Sequence, residues 1–335
     1  MAAYTGIQGQ NILIVSSDPA NPTEGQIWYN STTNLLKGYQ NVVVAAAWAS
    51  GGNLGTARYG LGGAGTQTAA LGFGGYNVGP SFPTSTEKYN GTAWTATGSM
   101  GTGRYTFGSA GTQTSALAFG GYGPASFRDI TEEFDGSTWT SGGTLNTARY
   151  QLAGAGGSNT AAIAFTGSPA PGTANSTSTE SYDGSTWTNV NSINTGRRGL
   201  AGAGLQTAAL AFGGQNSPSP GGFSTATESW NGTSWTSVNS MNTARFQLAG
   251  AGTQTLALAF GGEIPPQTGA TELWNGTSWT TSPASLSTAR KIIGAAGTQA
   301  SALAFGGAPP NAGLAATEEW TGPSSSLQVK TITTS

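Results

Sequence analysis

Short apolar segments alternate with turns rich in glycine, threonine and serine along most of the chain. In the segment Ala69–Phe73, the large residues Leu71 and Phe73 alternate with alanine and glycine. Because successive side chains of a strand point to opposite faces, this order gives one large and one small face. The pattern predicts short β-strands in sheets that pack large face against small face.

The same segments return at a regular interval. Residues 56–75 read TARYGLGGAGTQTAALGFGG, and related copies begin at Thr102, Thr147, Thr195, Thr243 and Thr288. The arginines of successive copies are 45 to 48 residues apart. An interval of this size is typical of a repeat architecture, in which every copy forms one structural unit.

Each copy contains four strand-like segments. In the first copy they are Tyr59–Ala64, Ala69–Phe73, Thr86–Tyr89 and Thr92–Ala96. The last two are joined by Asn90-Gly91, a pair that favours a tight hairpin because both central positions of the turn need positive φ. Four short antiparallel strands in a repeat of this length predict one blade of a β-propeller.

The two ends of the repeat region predict how the ring closes. Five copies have a fourth-strand tryptophan, the sixth has Ser325 there, and Trp48 precedes Arg58 at the usual offset. Residues 43–50 are therefore expected to supply the missing strand, which removes an open sheet edge. The prediction is an all-β, six-bladed β-propeller of four-stranded blades over residues 43–330, closed by an N-terminal strand. An N-terminal extension (1–42) precedes it and a short tail (331–335) follows.

The N-terminal extension lies outside the repeat. Its segments GQIWYN and LLKGYQ are joined by STTN and predict a β-hairpin. The large side chains of this hairpin are Trp28, Tyr29, Leu35 and Tyr39. They either cover one end of the propeller or form an attachment surface, and the sequence leaves both interpretations open.

The repeated motifs resemble those of the kelch family. The resemblance rests on the double glycine after the second strand, the step Tyr89-Asn90-Gly91 and the fourth-strand tryptophan, and it covers residues 43–326. It departs at Thr166, which replaces one glycine, and in four copies where Phe or Trp replaces the tyrosine. Membership of the kelch family would imply a propeller with four-stranded blades.

A second resemblance concerns the extension. The stretch GQIWYNSTTNLLKGYQN looks like a short module near the N-termini of phage tail-fibre and other virion-associated proteins. Only 8% of the residues are charged, cysteine is absent, and the N-terminus lacks the basic and long apolar segments of a signal peptide. An extracellular composition without an export signal is consistent with release by cell lysis, as for a phage particle.

Two charged positions recur in every copy. The arginines are Arg58, Arg104, Arg149, Arg197, Arg245 and Arg290, and the glutamates are Glu87, Glu132, Glu180, Glu228, Glu272 and Glu318. They would form either a charged ring that binds a polar ligand at the channel mouth or a bidentate ion pair inside each blade. The sixfold repetition with balanced charge favours the structural ion pair.

The connection between the second and third strands varies while its surroundings repeat. Variable loops on one face of a repeat protein often form its binding face. Six side chains in these loops are suited to stacking on a sugar or anchoring a protein partner: Tyr76, Phe82, Tyr122, Phe127, Arg128 and Phe223. The alternative is that the loops vary because nothing constrains them.

The residue types narrow the possible chemistry. Without histidine or cysteine, a copper site of the galactose-oxidase type, tetrahedral zinc sites and Ser-His or Cys-His nucleophiles are excluded. A carboxylate pair for glycan hydrolysis is arithmetically possible from Asp129, Glu132, Glu133 and Glu263. No carboxylate cluster suited to calcium is visible, so we expect neither metal nor cofactor.

The functional hypothesis is a non-enzymatic structural or adhesion protein of a bacteriophage virion, located on the particle surface as a fibre, tail or capsid-decorating component. The extension would dock onto other virion proteins, and the loop face would bind a host glycan or receptor; a homo-oligomer is possible. The net charge of −2 and the lack of a long apolar run argue against nucleic-acid and membrane partners. The alternatives are a soluble kelch-type interaction scaffold and a carboxylate-based glycan hydrolase.

Overall fold

The computed structural model describes residues 12–77, 79, 81–170, 173–216, 222–309 and 313–332. The strands before the repeats are β1 Leu13–Val15, β2 Ile27–Asn30, β3 Leu35–Val44 and β4 Ala47–Gly51. The first copy forms β5 Gly62–Thr66, β6 Ala69–Phe73, β7 Thr86–Tyr89 and β8 Trp94–Thr97. The second forms β9 Gly108–Thr112, β10 Ser115–Phe119, β11 Thr131–Phe134 and β12 Trp139–Gly142.

The later copies follow the same order. The third forms β13 Ala153–Ser158, β14 Ala161–Phe165, β15 Thr179–Tyr182 and β16 Trp187–Val190. The fourth forms β17 Ala201–Leu205, β18 Ala208–Phe212, β19 Thr227–Trp230 and β20 Trp235–Val238. The fifth forms β21 Ala249–Gly252, β22 Ala257–Phe260, β23 Thr271–Trp274 and β24 Trp279–Ser282. The sixth forms β25 Gly294–Gly297, β26 Ser301–Phe305 and β27 Thr317–Thr321, and β28 Ser324–Thr331 follows.

These 28 strands form seven four-stranded sheets within the described residues, so the predicted count of six is wrong. One compact unit, Ala46–Gly322, holds the six sheets built from the repeat. The other unit combines Met1–Ala45 with Pro323–Ser335 and holds the seventh sheet, in the order β1-β2-β3-β28. Counting repeats missed this sheet because neither terminal segment carries the repeated motif.

The sheet of the sixth copy takes its fourth strand from the N-terminal side, in the order β25-β26-β27-β4. Trp48 of β4 is in register with Trp320 of β27. Its indole Nε1 donates to the Thr271 hydroxyl at 3.0 Å, and its ring lies 5.0 Å from that of Phe260. The other five fourth-strand tryptophans donate in the same way to a third-strand threonine of the neighbouring sheet.

The chain after β27 leaves the propeller unit. Residues up to 330 were expected to belong to the propeller, but β28 pairs antiparallel with β3 along its whole length. Residues 43 and 44 likewise belong to β3, and the strand that joins the sixth copy starts only at Ala47. The two units are therefore divided at Ala45/Ala46 and at Gly322/Pro323.

The first strands of the six repeat sheets are neighbours around a ring, in which β25 contacts β5 again. They consist largely of glycine and alanine, and close approach explains this composition. A Cβ added to Gly63 would lie 2.1 Å from the carbonyl oxygen of Ala295 in the neighbouring first strand. The ring surrounds a central cavity of about 240 Å³.

Large side chains fill the space between neighbouring repeat sheets. Between the third and fourth copies, Ile163 and Phe165 pack against Ala211 and Trp235, with 5.0 Å between the rings of Phe165 and Trp235. Full burial of such a side chain stabilises the fold by about 1.5–3 kcal/mol. The alternation of large and small residues thus makes each sheet complementary to the next.

The seventh sheet contains one fully buried tryptophan. Strands β1 and β2 are parallel, whereas β2, β3 and β28 pair antiparallel. Trp28, one of the four residues considered for attachment, is fully buried and donates its Nε1 to Asp18 Oδ1 at 3.0 Å. Leu35 is exposed, and Tyr29 and Tyr39 are half-buried. Trp28 therefore belongs to a core, and only the other three have surface to offer a partner.

Candidate ligand-binding face

Each repeated arginine is fully buried and pairs with the glutamate of its own copy. The distance from Nη2 to Oε1 is 2.7–3.0 Å in Arg58–Glu87, Arg104–Glu132, Arg149–Glu180, Arg197–Glu228, Arg245–Glu272 and Arg290–Glu318. The other arm, Nη1, donates to backbone carbonyl oxygens, as to that of Ser85 at 2.7 Å. The pair is therefore not the bidentate fork expected from the sequence.

The second carboxylate oxygen holds the loop that leads into the first strand. Oε2 accepts a backbone N–H in all six copies, at 2.5–2.9 Å. Burial lowers the pKa of the Arg149 guanidinium, and the adjacent Glu180 charge opposes this shift. The arginine thus holds the loop between the second and third strands, and the glutamate holds the loop before the first strand. The two buried charges neutralise each other.

A closed circle of hydrogen bonds surrounds one end of the cavity. Its six members, here called the mouth ring, follow each arginine by two residues and have φ of 50–63°: Gly60, Thr106, Gln151, Gly199, Gln247 and Ile292. Each N–H donates to the carbonyl oxygen of the member before it at 2.6–2.9 Å, and Gly60 closes the circle by donating to Ile292. The mouth ring therefore joins all six repeat sheets through the backbone alone.

The residue directly after each arginine borders the mouth ring. In the first three copies it is a tyrosine, and Tyr59 and Tyr105 form isolated β-bridges with Tyr76 and Tyr122. Tyr76 and Tyr122 follow the double glycines and begin the variable loops between the second and third strands. The bridges therefore bring these loops to the same face as the loops that carry the arginines. This arrangement places the variable loops around the channel mouth.

Seven rings on this face contact one another in a continuous series, here called the aromatic arc. Its members are Tyr59, Tyr76, Phe82, Tyr105, Tyr122, Phe127 and Tyr150. The centroids of contacting rings lie 4.9–6.4 Å apart. All seven side chains are half-buried, so the arc keeps surface exposed to solvent.

Four of the six residues predicted for binding are members of the aromatic arc: Tyr76, Phe82, Tyr122 and Phe127. Phe223 lies outside it and stacks on Phe246 at 5.8 Å. Arg128 is half-buried and has a buried Nε without a hydrogen-bond partner among the described residues.

Tyr59, Tyr105 and Tyr150 were not predicted as binding residues. The sequence pattern assigns Tyr59 to the first strand, but the left-handed Gly60 separates it from β5, which begins at Gly62. An aromatic residue directly after the arginine in three successive copies was the available signal.

Two tyrosines of the arc, Tyr59 and Tyr105, have raised pKa values. Burial raises the pKa of Tyr105, and the neighbouring tyrosines, Tyr59 first among them, raise it further. Burial also raises the pKa of Tyr59, with a smaller contribution from Tyr76. These hydroxyls therefore remain protonated hydrogen-bond donors well above neutral pH.

The opposite side of the mouth is more polar. Arg198 donates from Nε and Nη2 to Gln215 Oε1 at 3.1 and 3.0 Å, and its guanidinium lies 5.9 Å over the Phe246 ring. Lys291 forms an ion pair with Glu263 at 2.5 Å. The face thus has a continuous series of aromatic rings in the first three copies, and charged side chains with a separate Phe223–Phe246 pair in the last three.

The glutamates considered for hydrolysis are each held by a different partner. Glu132 pairs with Arg104. Glu133 follows it on β11, so its side chain points to the other face of the sheet, where it accepts the hydroxyl of Tyr182. Glu263 pairs with Lys291. The fourth candidate, Asp129, forms no ion pair within the described residues.

Within the described residues, no group of three acidic, histidine or cysteine side chains is placed to hold a metal ion. Over the same ranges, no helix has the length and apolar character needed to cross a membrane.

Comparisons with known proteins identify the fold. No protein-family model matches the chain, and no curated protein matches it in sequence. Among solved structures it is similar to YjhT, a β-propeller, with a TM-score of 0.68 and 14% identity over 82% of this chain and 99% of that one. Neither the kelch nor the phage resemblance gains a family match from these comparisons. At this identity the likeness shows the fold alone, and the chain is accordingly a β-propeller in its repeat unit.

Proposed function

We propose that the chain is a non-catalytic binding scaffold of the kelch type, and that the aromatic arc binds a carbohydrate. The observation that carries the proposal is the continuous contact of seven half-buried rings around one side of the channel mouth. The C–H face of a pyranose packs on such rings, and tyrosine hydroxyls at their edges hydrogen-bond its hydroxyl groups.

The charges near the arc support a binding role. The repeated arginines and glutamates are engaged in holding loops, and three of the four carboxylates considered for hydrolysis have their own partners. The loops that carry the arc are held by backbone hydrogen bonds. The first glycine of each double glycine donates to the end of its own loop, and the second donates to the arginine of the next copy. A rigid scaffold that carries variable loops is suited to recognition because few groups must be ordered on binding.

The test is binding of the purified chain to a glycan array, followed by titration of the ligand found. Tyr122 contacts four other members of the arc, so Tyr122→Ala should weaken binding about tenfold. Tyr29→Ala is the matched control, because Tyr29 is also a half-buried tyrosine but lies in the other unit. Binding that survives Tyr122→Ala unchanged would contradict the proposal.

The second candidate ligand is a protein partner. Its support is the same rings, since tyrosine and phenylalanine are also frequent anchors of protein interfaces. An array without any bound glycan, together with a protein partner whose binding is lost in Tyr122→Ala, would favour this candidate over a carbohydrate. The virion location predicted from the sequence is a separate proposal, and immunogold labelling of purified particles tests it.

A further inference from the structure

The mouth ring is uniform in its backbone but not in its side chains. Gly60 and Gly199 have none, Ile292 is apolar, and Thr106, Gln151 and Gln247 are polar. Thr106 Oγ1 and Gln151 Oε1 are buried and have no hydrogen-bond partner among the described residues. Within the described residues, Gln247 has no polar atom that is both buried and without a partner.

The two residues that carry these unpartnered atoms are adjacent members of the mouth ring. Both residues line it, and the backbone N–H of Gln151 donates to the carbonyl oxygen of Thr106 at 2.8 Å. A buried polar atom without a partner costs free energy, and a ligand or water that supplies the bond recovers it. The cavity, at about 240 Å³, has room for such a group.

The same sector of the mouth carries the aromatic arc. Tyr105 directly precedes Thr106, and Tyr150 directly precedes Gln151. A sugar ring stacked on these tyrosines would therefore lie next to the two mouth-ring residues that carry the unpartnered atoms. On the polar side, Arg198 and Lys291 are already engaged with Gln215 and Glu263.

We infer that the channel mouth at Thr106 and Gln151 is a subsite for the hydroxyl groups of a neutral sugar residue at the end of a glycan. On binding, the two side chains turn toward the channel, so that Gln151 Oε1 accepts one sugar hydroxyl and the Thr106 hydroxyl bonds a second, while the sugar ring stacks on the aromatic arc. This inference rests on the proposed carbohydrate binding and adds the place at which a terminal sugar residue is recognised.

The experiment uses the full chain and a panel of methyl glycosides of glucose, galactose, mannose and glucuronic acid. Titration calorimetry compares the wild type with Gln151→Leu, Thr106→Val and the control Gln247→Leu. Ile292 has a φ of 55° in the same ring, which shows that a large apolar residue is accommodated there. We expect about five- to tenfold weaker binding of a neutral glycoside for Gln151→Leu and for Thr106→Val, and no change for Gln247→Leu.

A second readout does not depend on affinity. In the wild type, a bound methyl glycoside should shift the NMR signals of the Gln151 side-chain amide and leave those of Gln247 unchanged. Equal shifts of both amides, or equal losses of affinity in Gln151→Leu and Gln247→Leu, would overturn the subsite. Markedly tighter binding of the glucuronide than of the neutral glycosides would overturn the neutral specificity.

The two proposals fail in different ways. If Tyr122→Ala weakens glycan binding while Gln151→Leu and Thr106→Val do not, the subsite is wrong and carbohydrate binding by the arc stands. If the wild type binds neither the array glycans nor the methyl glycosides, carbohydrate binding itself is wrong and the subsite falls with it.

Discussion

Thr166 occupies a position that the other five repeat sheets give to the first glycine of the double-glycine motif. It is fully buried, its φ is 62°, and its hydroxyl has no hydrogen-bond partner in the described part of the chain. The equivalent glycines have φ of 61–69°. The left-handed region disfavours a β-branched residue by about 1–2 kcal/mol, so the threonine is locally strained.

Thr166→Gly should therefore raise the free energy of unfolding by about 1 kcal/mol, measured by urea denaturation. The reverse change at the equivalent position, Gly213→Thr, is the control and should destabilise the protein, because a Cβ there lies 2.8 Å from Leu248 Cδ2. A less stable Thr166→Gly protein would mean that the packing of the threonine outweighs its backbone strain.

A second prediction at the residue scale concerns Arg149. Its removal leaves the fully buried Glu180 charge without a counterion. It also leaves the carbonyl oxygen of Ser178 without the donor that Arg149 Nη1 supplies. Arg149→Ala should lower the free energy of unfolding by about 3–5 kcal/mol, seen as a lower melting temperature. The double variant Arg149→Met, Glu180→Leu should be more stable than the single one, and an unchanged melting temperature in Arg149→Ala would argue against a structural role.

At the scale of strands and sheets, polar side-chain bonds tie neighbouring sheets together across their apolar contact. The hydroxyl of Tyr89 on β7 donates to Glu319 on β27 at 2.5 Å and accepts the N–H of Gly52 at 3.3 Å. Burial, followed by the bond to Glu319, raises the pKa of Tyr89 to about 12. This bond joins the first and the sixth repeat sheets, where the ring closes.

The raised pKa of Tyr89 predicts the direction of a pH dependence. The folded pKa lies above the unfolded value of about 10, so the protonated hydroxyl stabilises the fold fully below pH 10. This contribution should be lost as the pH rises from 10 to 12. Urea unfolding across this range should show a smaller alkaline loss of stability in Tyr89→Phe than in the wild type; equal losses would contradict the assignment.

At the scale of the whole molecule, the repeat ring is closed by a strand that precedes the first repeat. Trp48 of β4 makes the same contacts as the internal tryptophans: its Nε1 donates to a threonine, and its ring packs on a phenylalanine. Trp139 is a matched internal example, with Thr86 at 2.9 Å and Phe73 at 4.9 Å.

Trp48→Ala should therefore destabilise the protein about as much as Trp139→Ala, by roughly 3 kcal/mol each, in chemical denaturation. Removing either indole leaves a cavity beside a buried phenylalanine and a threonine hydroxyl without its donor. A much smaller effect at Trp48 would show that β4 contributes little to the closure of the ring.

Local features of the fold could be predicted because they depend on residues close in the chain. The alternation around Leu71 and Phe73 indicates a strand, and Asn90-Gly91 indicates a hairpin, whatever surrounds them. In the seventh sheet only the hairpin of β2 and β3 could be predicted in this way. The pairing of β3 with β28 could not, because nearly the whole chain separates these strands and neither belongs to the repeat. Because this sheet does not carry the repeated motif, the repeat predicted six sheets where the structure has seven.

The candidate site shows the same division. Tyr76, Phe82, Tyr122 and Phe127 could be singled out from the sequence as aromatic residues in variable loops. The sequence by itself determined the repeat, its strands and the chemical groups available, because these follow from local periodicity and composition. Only the tertiary structure decided that Tyr59, Tyr105 and Tyr150 complete the aromatic arc and that the adjacent mouth-ring residues Thr106 and Gln151 each keep a buried polar atom without a partner. The physical reason is that both features arise from contacts between sheets, which bring together residues about one repeat apart in the chain.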